Sequence, residues 1–211
     1  MSRAAILADI RAAIGRTAGQ AIPDPPPPRI AIADVSVDER VRRFSVALEA
    51  LNGKPYFASS KDEARNYVAR LLEGRDAVAS AAPFLVECGI TGLPGVSTPG
   101  GDRLALRELC ATRAIGITSA DYALAETGTL VMISSAEEAR LVSLLPPCHV
   151  AVAPVARLLT GLDELLTVLP QPAGRSSAMA LITGPSRTAD IEQILVRGVH
   201  GPGEIHVVLV G

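Results

Sequence analysis

The stretch HVAVAP, residues 149–154, is apolar at both alternating positions after its first residue, which is typical of a strand that is buried on both faces. Other short apolar runs rich in β-branched residues follow the same pattern along the chain. We interpret all of them as central strands of a parallel sheet: DAVAS (76–80), AIGIT (114–118), TLVMIS (129–134), MALIT (179–183) and IHVVLV (205–210).

Helical patterns separate most of these strands. They cover residues 102–113, 136–144, 154–168 and 187–197. Two earlier helices are predicted by the capping pairs Ser36 with Glu39 and Ser60 with Glu63. Strands and helices that alternate at this interval predict an α/β fold, with an open, mainly parallel sheet flanked by helices on both faces.

One segment departs from this alternation. In YALAETGTLVMIS (122–134), two strand-like runs meet at a Thr-Gly pair, and no room is left for a helix between them. We therefore predict a hairpin or sharp bend that is inserted into the sheet.

The N-terminal region has a different character. Apolar residues recur at helical spacing through residues 2–15, and Gly15 follows them, which predicts a short amphipathic helix. Four consecutive prolines at 25–28 then indicate a stiff tether. The chain is thus predicted to comprise a helix and proline-rich tether (1–35) and one globular domain (36–211). The helix could dock on this subunit or on another, so a homo-oligomer is left open.

Composition restricts the class of protein. The 211 residues are 48% hydrophobic, carry a formal net charge of −2 and include no basic run, which argues against nucleic acid as a partner. No stretch is long and apolar enough to predict a membrane span or a secretory leader, so we expect a cytoplasmic protein with no membrane partner.

Cysteine and histidine spacing argues against a metal or cluster site. Cys88, Cys110 and Cys148 are an odd number of cysteines at wide spacing, and the sequence contains neither C-x-x-C nor H-E-x-x-H. With no Trp and only three Phe and three Tyr, stacking on a flavin or a nucleobase is also disfavoured. We expect no bound cofactor and no metal.

Ligands of open α/β sheets bind at the carboxyl ends of the strands, where loops gather. This rule selects four segments of the sequence. They are GLPGVSTPGGDR (92–103), TSAD (118–121), ETGT (126–129) and TGPSRTADIE (183–192).

The last of these segments is predicted to bind an anion. Gly184 turns the chain out of a strand, Ser186 or Thr188 caps the helix that is predicted next, and free backbone N–H groups up to Asp190 point outward beside the Arg187 guanidinium. A phosphate, pyrophosphate or carboxylate would bind there. The alternative is that the hydroxyls merely cap the helix while the aspartate complements its dipole.

Glu126 is the candidate catalytic carboxylate. It directly precedes the turn Thr127-Gly128-Thr129, and partial burial would raise its pKa and suit it to act as nucleophile or general base. The turn residues are predicted to form a second wall of the anion site, with the glutamate opposite the 183–190 segment. The alternative is a carboxylate that only stabilises its own hairpin.

The histidines differ in their predicted roles. His200, in the loop RGVHGPGEIH, is a candidate catalytic acid, although a solvated loop histidine would look the same. His149 and His206 occupy strand positions, where core or edge histidines are expected. Cys148 and His149 are adjacent on a strand and point to opposite faces, so they do not form a dyad.

Two blocks of sequence together resemble a known family. GITSADYALAETGTLVMISSAEEARLVSLLPPCHVAVAP (116–154) and ITGPSRTADIEQILVRGVHGPGEIHVVLV (182–210) are similar to the LUD domain of the lactate-utilisation protein C family, also called the YkgG-like family. The resemblance extends over roughly residues 36–211.

The resemblance implies a fold related to ribose-phosphate isomerases, glucosamine-phosphate deaminases and CoA transferases. It also implies membership of a three-protein bacterial system that oxidises L-lactate to pyruvate, in which two partner proteins carry the iron-sulfur cysteines. This chain would be an accessory component without its own redox centre that binds a small carboxylate or another anion.

Two alternatives are kept beside this one. CoA transferases of the related fold use a strand-end glutamate as nucleophile, so the chain could be a transferase-like or sugar-phosphate-isomerase-like enzyme that uses Glu126. It could also be a sensor that binds a phosphorylated or carboxylated metabolite without chemistry.

Overall fold

The computed structural model describes residues 2–15, 17, 19–21, 35–99, 102–189 and 195–211. The helices are α1 (Arg3–Ala13), α2 (Val37–Ala50), α3 (Lys61–Leu72), α4 (Pro83–Glu87), α5 (Arg103–Thr112), α6 (Leu141–Leu144) and α7 (Leu162–Val168). The strands are β1 (Lys54–Ala58), β2 (Ala77–Ala79), β3 (Val96–Ser97), β4 (Ile115–Ser119), β5 (Tyr122–Leu124), β6 (Thr129–Ile133), β7 (Cys148–Pro154), β8 (Leu158–Leu159), β9 (Met179–Ile182), β10 (Arg187–Ala189), β11 (Leu195–Arg197) and β12 (Glu204–Val210).

Within the described residues, the main sheet has six strands in the order β1-β12-β7-β4-β2-β3, and every pairing in it is parallel. This confirms the predicted α/β class. The two central strands, β7 and β12, pair along their whole length, from Cys148 opposite Glu204 to Pro154 opposite Val210. Strand β1 was not predicted from the sequence, because Lys54 and Pro55 begin it and proline is confined to sheet edges, where β1 lies.

A second sheet of four strands, in the order β8-β5-β6-β9, packs beside the first. The predicted hairpin is confirmed, because β5 and β6 pair antiparallel across residues 125–128. Its placement in the main sheet is wrong, however, and so is the assignment of 129–134 and 179–183 to central parallel strands, since β6 and β9 pair antiparallel in the second sheet. Strand β6 is buried on both faces, and that pattern is the same in either kind of sheet.

The main sheet is covered on both faces, as predicted. Helices α3 and α4 pack on one face, where Val68 and Leu85 belong to the same apolar cluster as Ile117 and Val150. On the other face, α2 and the second sheet form another cluster, which includes Leu48. Helices α5 and α6 cover the rest of that face, and α6 lies so close to β4 that a Cβ added at Gly116 would come within 2.0 Å of the Val142 carbonyl oxygen.

The predicted helices were correct in the first half of the domain. Helices α2, α3 and α5 form as expected, and the Ser36 and Ser60 hydroxyls accept the N–H groups of Glu39 and Glu63 at 3.4 and 3.2 Å. Helix α1 also forms within the predicted range, and all of its residues are exposed. The prolines at 25–28 lie outside the described residues, so the domain boundary at residue 35 stays a prediction.

Three later helices were predicted wrongly. The helix at 136–144 is reduced to α6, because the Ser135 hydroxyl accepts the N–H groups of Glu137 and Glu138 and holds them in a turn. The helix at 154–168 gives a 3-10 turn (Val155–Arg157), then β8, and only then α7. The helix at 187–197 is replaced, where the structure describes it, by the antiparallel strands β10 and β11.

Among the helices that the structure describes, none combines the length and the apolar character that crossing a bilayer requires.

Candidate functional site

A cleft of about 540 Å³ opens at the carboxyl ends of β2, β4 and β7, where the parallel-sheet rule places ligands. We call it the carboxyl-edge cleft. Its volume lies in the range of small-molecule sites. Its polar walls include Ser119 at the end of β4, Asp121 just after it, Glu138 after β6, and the two arginines Arg157 and Arg175.

Glu138 is the most unusual side chain in this cleft, because it is a carboxyl group that is only 7% exposed. Its Oε2 accepts hydrogen bonds from the Ser80 hydroxyl at 2.8 Å and from the Ser119 N–H at 3.0 Å. Burial raises the pKa of Glu138 to about 8, although these two hydrogen bonds act in the opposite direction. At neutral pH the group is therefore mainly the uncharged acid.

The backbone fixes Glu138 in this position. The Ala81 N–H, just after β2, donates to the carbonyl of Glu137 at 2.9 Å, and the Ser135 N–H donates to the carbonyl of Glu138 at 3.1 Å. The other carboxyl oxygen, Oε1, is covered and has no hydrogen-bond partner among the described residues. Because Oε2 already accepts two donors, the proton of the neutral acid belongs on Oε1, where no acceptor among the described residues takes it.

Asp121 is another carboxylate of the cleft, which Glu87 and Glu137 also line. Its Oδ2 accepts the Ile133 N–H at 2.7 Å, which ties the end of β4 to the end of β6. Burial raises the pKa of Asp121, while that hydrogen bond and the charges of Arg157 and Arg175 lower it. The two arginines thus lie close enough to act on the electrostatics of the cleft.

Both arginines are exposed at the mouth of the cleft. Arg157 donates to the Asp121 carbonyl at 3.2 Å, and its guanidinium lies 5.5 Å from the centre of the Tyr122 ring. A guanidinium presents several parallel donors to a carboxylate or a phosphate. The cleft therefore combines cations at its mouth with a buried neutral acid, an arrangement that suits a small anion with a second polar oxygen.

The predicted catalytic residue Glu126 lies elsewhere. It is exposed in the turn after β5, and its N–H donates to the Thr160 carbonyl at 3.0 Å. Its carboxylate lies over Gly161, where an added Cβ would come within 2.3 Å of Oε2. Glu126 is absent from the walls of the clefts described here, and its role as a nucleophile or base stays a prediction.

The two Thr-Gly turns lie beside each other and contact directly, and their role as two walls of one anion site stays a prediction. The Thr129 hydroxyl lies 2.7 Å from that of Thr127 and 2.8 Å from that of Thr183. Gly128 is buried against α2, with φ of +63°, and a Cβ there would come within 2.6 Å of the Leu48 backbone nitrogen. The ETGT turn is therefore packed as part of the scaffold.

Three other predicted site residues come together. Gly184, Ser186 and His200 line a second cleft of about 220 Å³. We call it the amino-edge cleft, because His149 and Ile205, the second residues of β7 and β12, also line it. The Ser186 N–H donates to the carbonyl of Pro202 at 2.8 Å, which holds the His200 loop against the Thr183–Ser186 turn.

The helix that was expected to supply N–H groups to an anion there does not begin at Ser186, because β10 follows instead. Arg187 is exposed and donates to the Leu51 carbonyl at the end of α2. Thr188 lies in β10, and Asp190 lies outside the described residues. The described part of this segment therefore presents no helix N-terminus to an anion.

His149 is a core histidine, as its strand position predicts, and it also lines the amino-edge cleft. It is 1% exposed, and its Nε2 lies 2.7 Å from the Thr118 hydroxyl. Its Nδ1 has no partner among the described residues. Burial lowers the pKa of His149 to about 4, so the ring is neutral at physiological pH.

Sequence reasoning selected TSAD (118–121) but missed Glu138, Arg157 and Arg175 as members of the same site. The available signal was the pair of acids in SSAEE, directly after the apolar strand TLVMIS. Because residues 136–144 are predicted to form a helix, these acids are not assigned to the loop at the strand end. The arginines follow later in the chain, and only the folded arrangement brings them to the cleft.

Comparison with known proteins agrees with this architecture. A crystal structure of a DUF162 family protein from Deinococcus radiodurans has the same fold, with a TM-score of 0.64 at 19% identity, and the match covers 84% of this chain and 100% of that one. Lactate utilization protein C from Halalkalibacterium halodurans is 45% identical over 92 residues, which cover 42% of this chain and 40% of that protein.

A second relative gives the same picture. Lactate utilization protein C from Bacillus subtilis is 39% identical over 100 residues, or 46% of this chain and 42% of that protein. In both cases the match spans less than half of the relative's length. Residues 41–210 match the family described as the LUD domain, which is most of the chain. The protein therefore belongs to the LUD domain family.

Proposed function

We propose that this chain is a lactate-utilisation subunit of the protein C type, and that its carboxyl-edge cleft binds a small 2-hydroxy or 2-oxo carboxylate. The names of the similar proteins support a role in lactate utilisation. The observation that carries the site is the buried, neutral Glu138 in a cleft with two arginines at its mouth.

The proposed binding mode follows from these groups. The guanidinium of Arg157 or Arg175 holds the carboxylate of the ligand. The Glu138 acid then donates a hydrogen bond to the oxygen on the neighbouring carbon, which is a hydroxyl in lactate and a carbonyl in pyruvate. Because Oε1 is covered in this structure, we expect the carboxyl group to rotate toward the cleft on binding.

The proposed role is that of an accessory component. The chain would bind the carboxylate, while iron-sulfur partner proteins of the same system would transfer the electrons. The family resemblance supports this division of labour. Copurification of the intact chain with its cysteine-rich partners tests it, and turnover of lactate by this chain alone would contradict it.

Calorimetric titration with L-lactate and pyruvate tests the site. We expect saturable binding to the wild type and a loss of affinity of about tenfold or more in Arg157→Gln and Arg175→Gln, since hydrogen bonds to charged groups contribute about 1.5–3 kcal/mol. Arg42→Gln is the matched control, because Arg42 is exposed on α2 and pairs with Glu39. Equal affinity in all three variants would contradict the proposed site.

The amino-edge cleft is a second candidate, in which Ser186 and His200 bind a small anion. It is favoured by the unpartnered Nδ1 of the buried His149, which lines the same cleft. Inorganic phosphate tests it by thermal shift, since a ligand that binds only the folded state raises the melting temperature. The shift should disappear in His200→Ala, and a shift that persists there would contradict this candidate.

A further inference from the structure

Three metal-ligating side chains meet at the amino edge of the main sheet, at the opposite end of the strands from the carboxyl-edge cleft. They are Cys148, Glu204 and His206. One ligand atom from each, a sulfur, a carboxylate oxygen and a ring nitrogen, lie within 4.8 Å of one another.

The register of the sheet brings these residues together. Cys148 is the first residue of β7 and lies directly opposite Glu204, the first residue of β12. His206 follows two positions later on β12, so it shares a face of the strand with Glu204. Cys148 and His206 are 4% and 3% exposed, whereas the Glu204 side chain is 36% exposed and opens the cluster to solvent.

The imidazole is held in place from behind. Its Nδ1 lies 2.9 Å from the Tyr67 hydroxyl, and the Tyr67 ring stacks on Tyr56 with centroids 4.0 Å apart. Its Nε2 faces Glu204 Oε1 at 3.0 Å. A metal-binding histidine commonly has its second ring nitrogen fixed by a hydrogen bond of this kind.

We propose that Cys148, Glu204 and His206 form a site for a divalent transition metal, with Zn²⁺ as the best match. Tetrahedral zinc takes sulfur at about 2.3 Å and nitrogen or oxygen at about 2.0–2.2 Å, which places the ligand atoms about 3.3–3.6 Å apart. Rotation of the partly exposed Glu204 side chain closes the remaining distance. Zinc replaces the thiol proton of Cys148, which is released to solvent, and water takes the fourth position.

Lys54 competes with the metal for Glu204. Its ammonium group contacts Glu204 Oε1 from the neighbouring strand β1, where Lys54 pairs with His206 in the register. The metal either displaces this ammonium or binds the other carboxylate oxygen. In both cases, removing the positive charge of Lys54 should tighten metal binding.

Zinc content of the untagged protein provides the test. After equilibration with Zn²⁺ and desalting, we expect about one zinc ion per chain in the wild type. Cys148→Ser and His206→Asn should lower the affinity by about 100-fold or more, and Tyr67→Phe by about 10–100-fold. Cys110→Ser is the matched control, because Cys110 is a free, buried cysteine in another part of the core.

If Cys148→Ser does not fold, absorption spectroscopy of Co²⁺ bound to folded variants tests the site instead. Co²⁺ added to the wild type should give a sulfur-to-cobalt charge-transfer band, which persists when Cys88 and Cys110 are both replaced by serine. Lys54→Met should raise the zinc affinity. Absence of the cobalt band, or zinc binding of equal affinity in Cys148→Ser, would overturn the proposal.

Discussion

The Ser80 hydroxyl donates to Glu138 Oε2 at 2.8 Å, so the residue that follows β2 is joined directly to the loop that follows β6. This contact therefore links the main sheet to the loop between β6 of the second sheet and α6. It also holds a carboxyl group inside the protein at the end of the sheet where ligands of parallel sheets bind.

Replacement of Glu138 by Gln should change how stability depends on pH. Because the folded-state pKa is raised from 4.5 to about 8, the folded protein binds a proton that the unfolded chain loses, and stability falls as pH rises through this window. Glu138→Gln should remove this loss, which amounts to several kcal/mol at most. Chemical denaturation at pH 5 and pH 8 measures the difference.

Glu137→Gln is the control for that experiment, since Glu137 is the exposed neighbour. It should retain the pH dependence of the wild type. An identical pH dependence in Glu138→Gln and the wild type would show that the acid is not neutral when folded.

Burial of His149 should make the folding stability depend on pH in the opposite direction, at acidic pH. Burial lowers its pKa from 6.5 to about 4, so the unfolded chain takes up a proton first, and stability falls as pH decreases through this window. His149→Gln should be less sensitive to pH between about 6.5 and 4 in denaturant titrations. His200→Gln, at an exposed histidine, should behave as the wild type, and equal slopes in both variants would contradict the burial argument.

Truncation of Leu48 should lower the free energy of unfolding more than truncation at most other positions of α2. Leu48 is fully buried between the main sheet and the ETGT turn, and truncation of such a leucine costs about 2–5 kcal/mol. Leu48→Ala should therefore lower the free energy of unfolding strongly. Val46→Ala, at a side chain that is 55% exposed on the same helix, should change it by about 0.5 kcal/mol or less.

Glu126→Gln separates the accessory role from a transferase-like enzyme. Since Glu126 is exposed and outside the carboxyl-edge cleft, the variant should bind L-lactate with unchanged affinity in calorimetry. It should also support lactate oxidation by the assembled system at the wild-type rate. A large loss of turnover with intact binding would instead assign the chemistry to Glu126.

The fold class could be predicted because parallel strands buried on both faces have a distinctive apolar pattern, as in β7 and β12. The division into two sheets could not, because β6 is buried on both faces as well, and its antiparallel pairing with β9 depends on contacts far away in the sequence. The helix predicted after Ser186 shows that a helical pattern alone does not decide between a helix and a hairpin.

The candidate sites depended on long-range contacts even more strongly. Asp121 was found within a selected segment because it directly follows a strand. Glu138 enters the cleft from a turn that the Ser135 hydroxyl stabilises, and the local sequence pattern predicts a helix there instead. Cys148 and Glu204 are far apart in sequence and become neighbours only through strand register, so motif spacing could not reveal the proposed metal site.

We propose that a neutral Glu138 binds the ligand in the carboxyl-edge cleft. Its most direct test is the affinity for L-lactate, measured by calorimetry at pH 6 and pH 9 for the wild type and Glu138→Gln. Wild-type affinity should fall by about tenfold or more as pH rises through about 8, because the ionised carboxylate then repels the ligand, whereas the variant should bind equally at both values. The same pH dependence in both proteins, or no saturable binding to the wild type at pH 6, would contradict it.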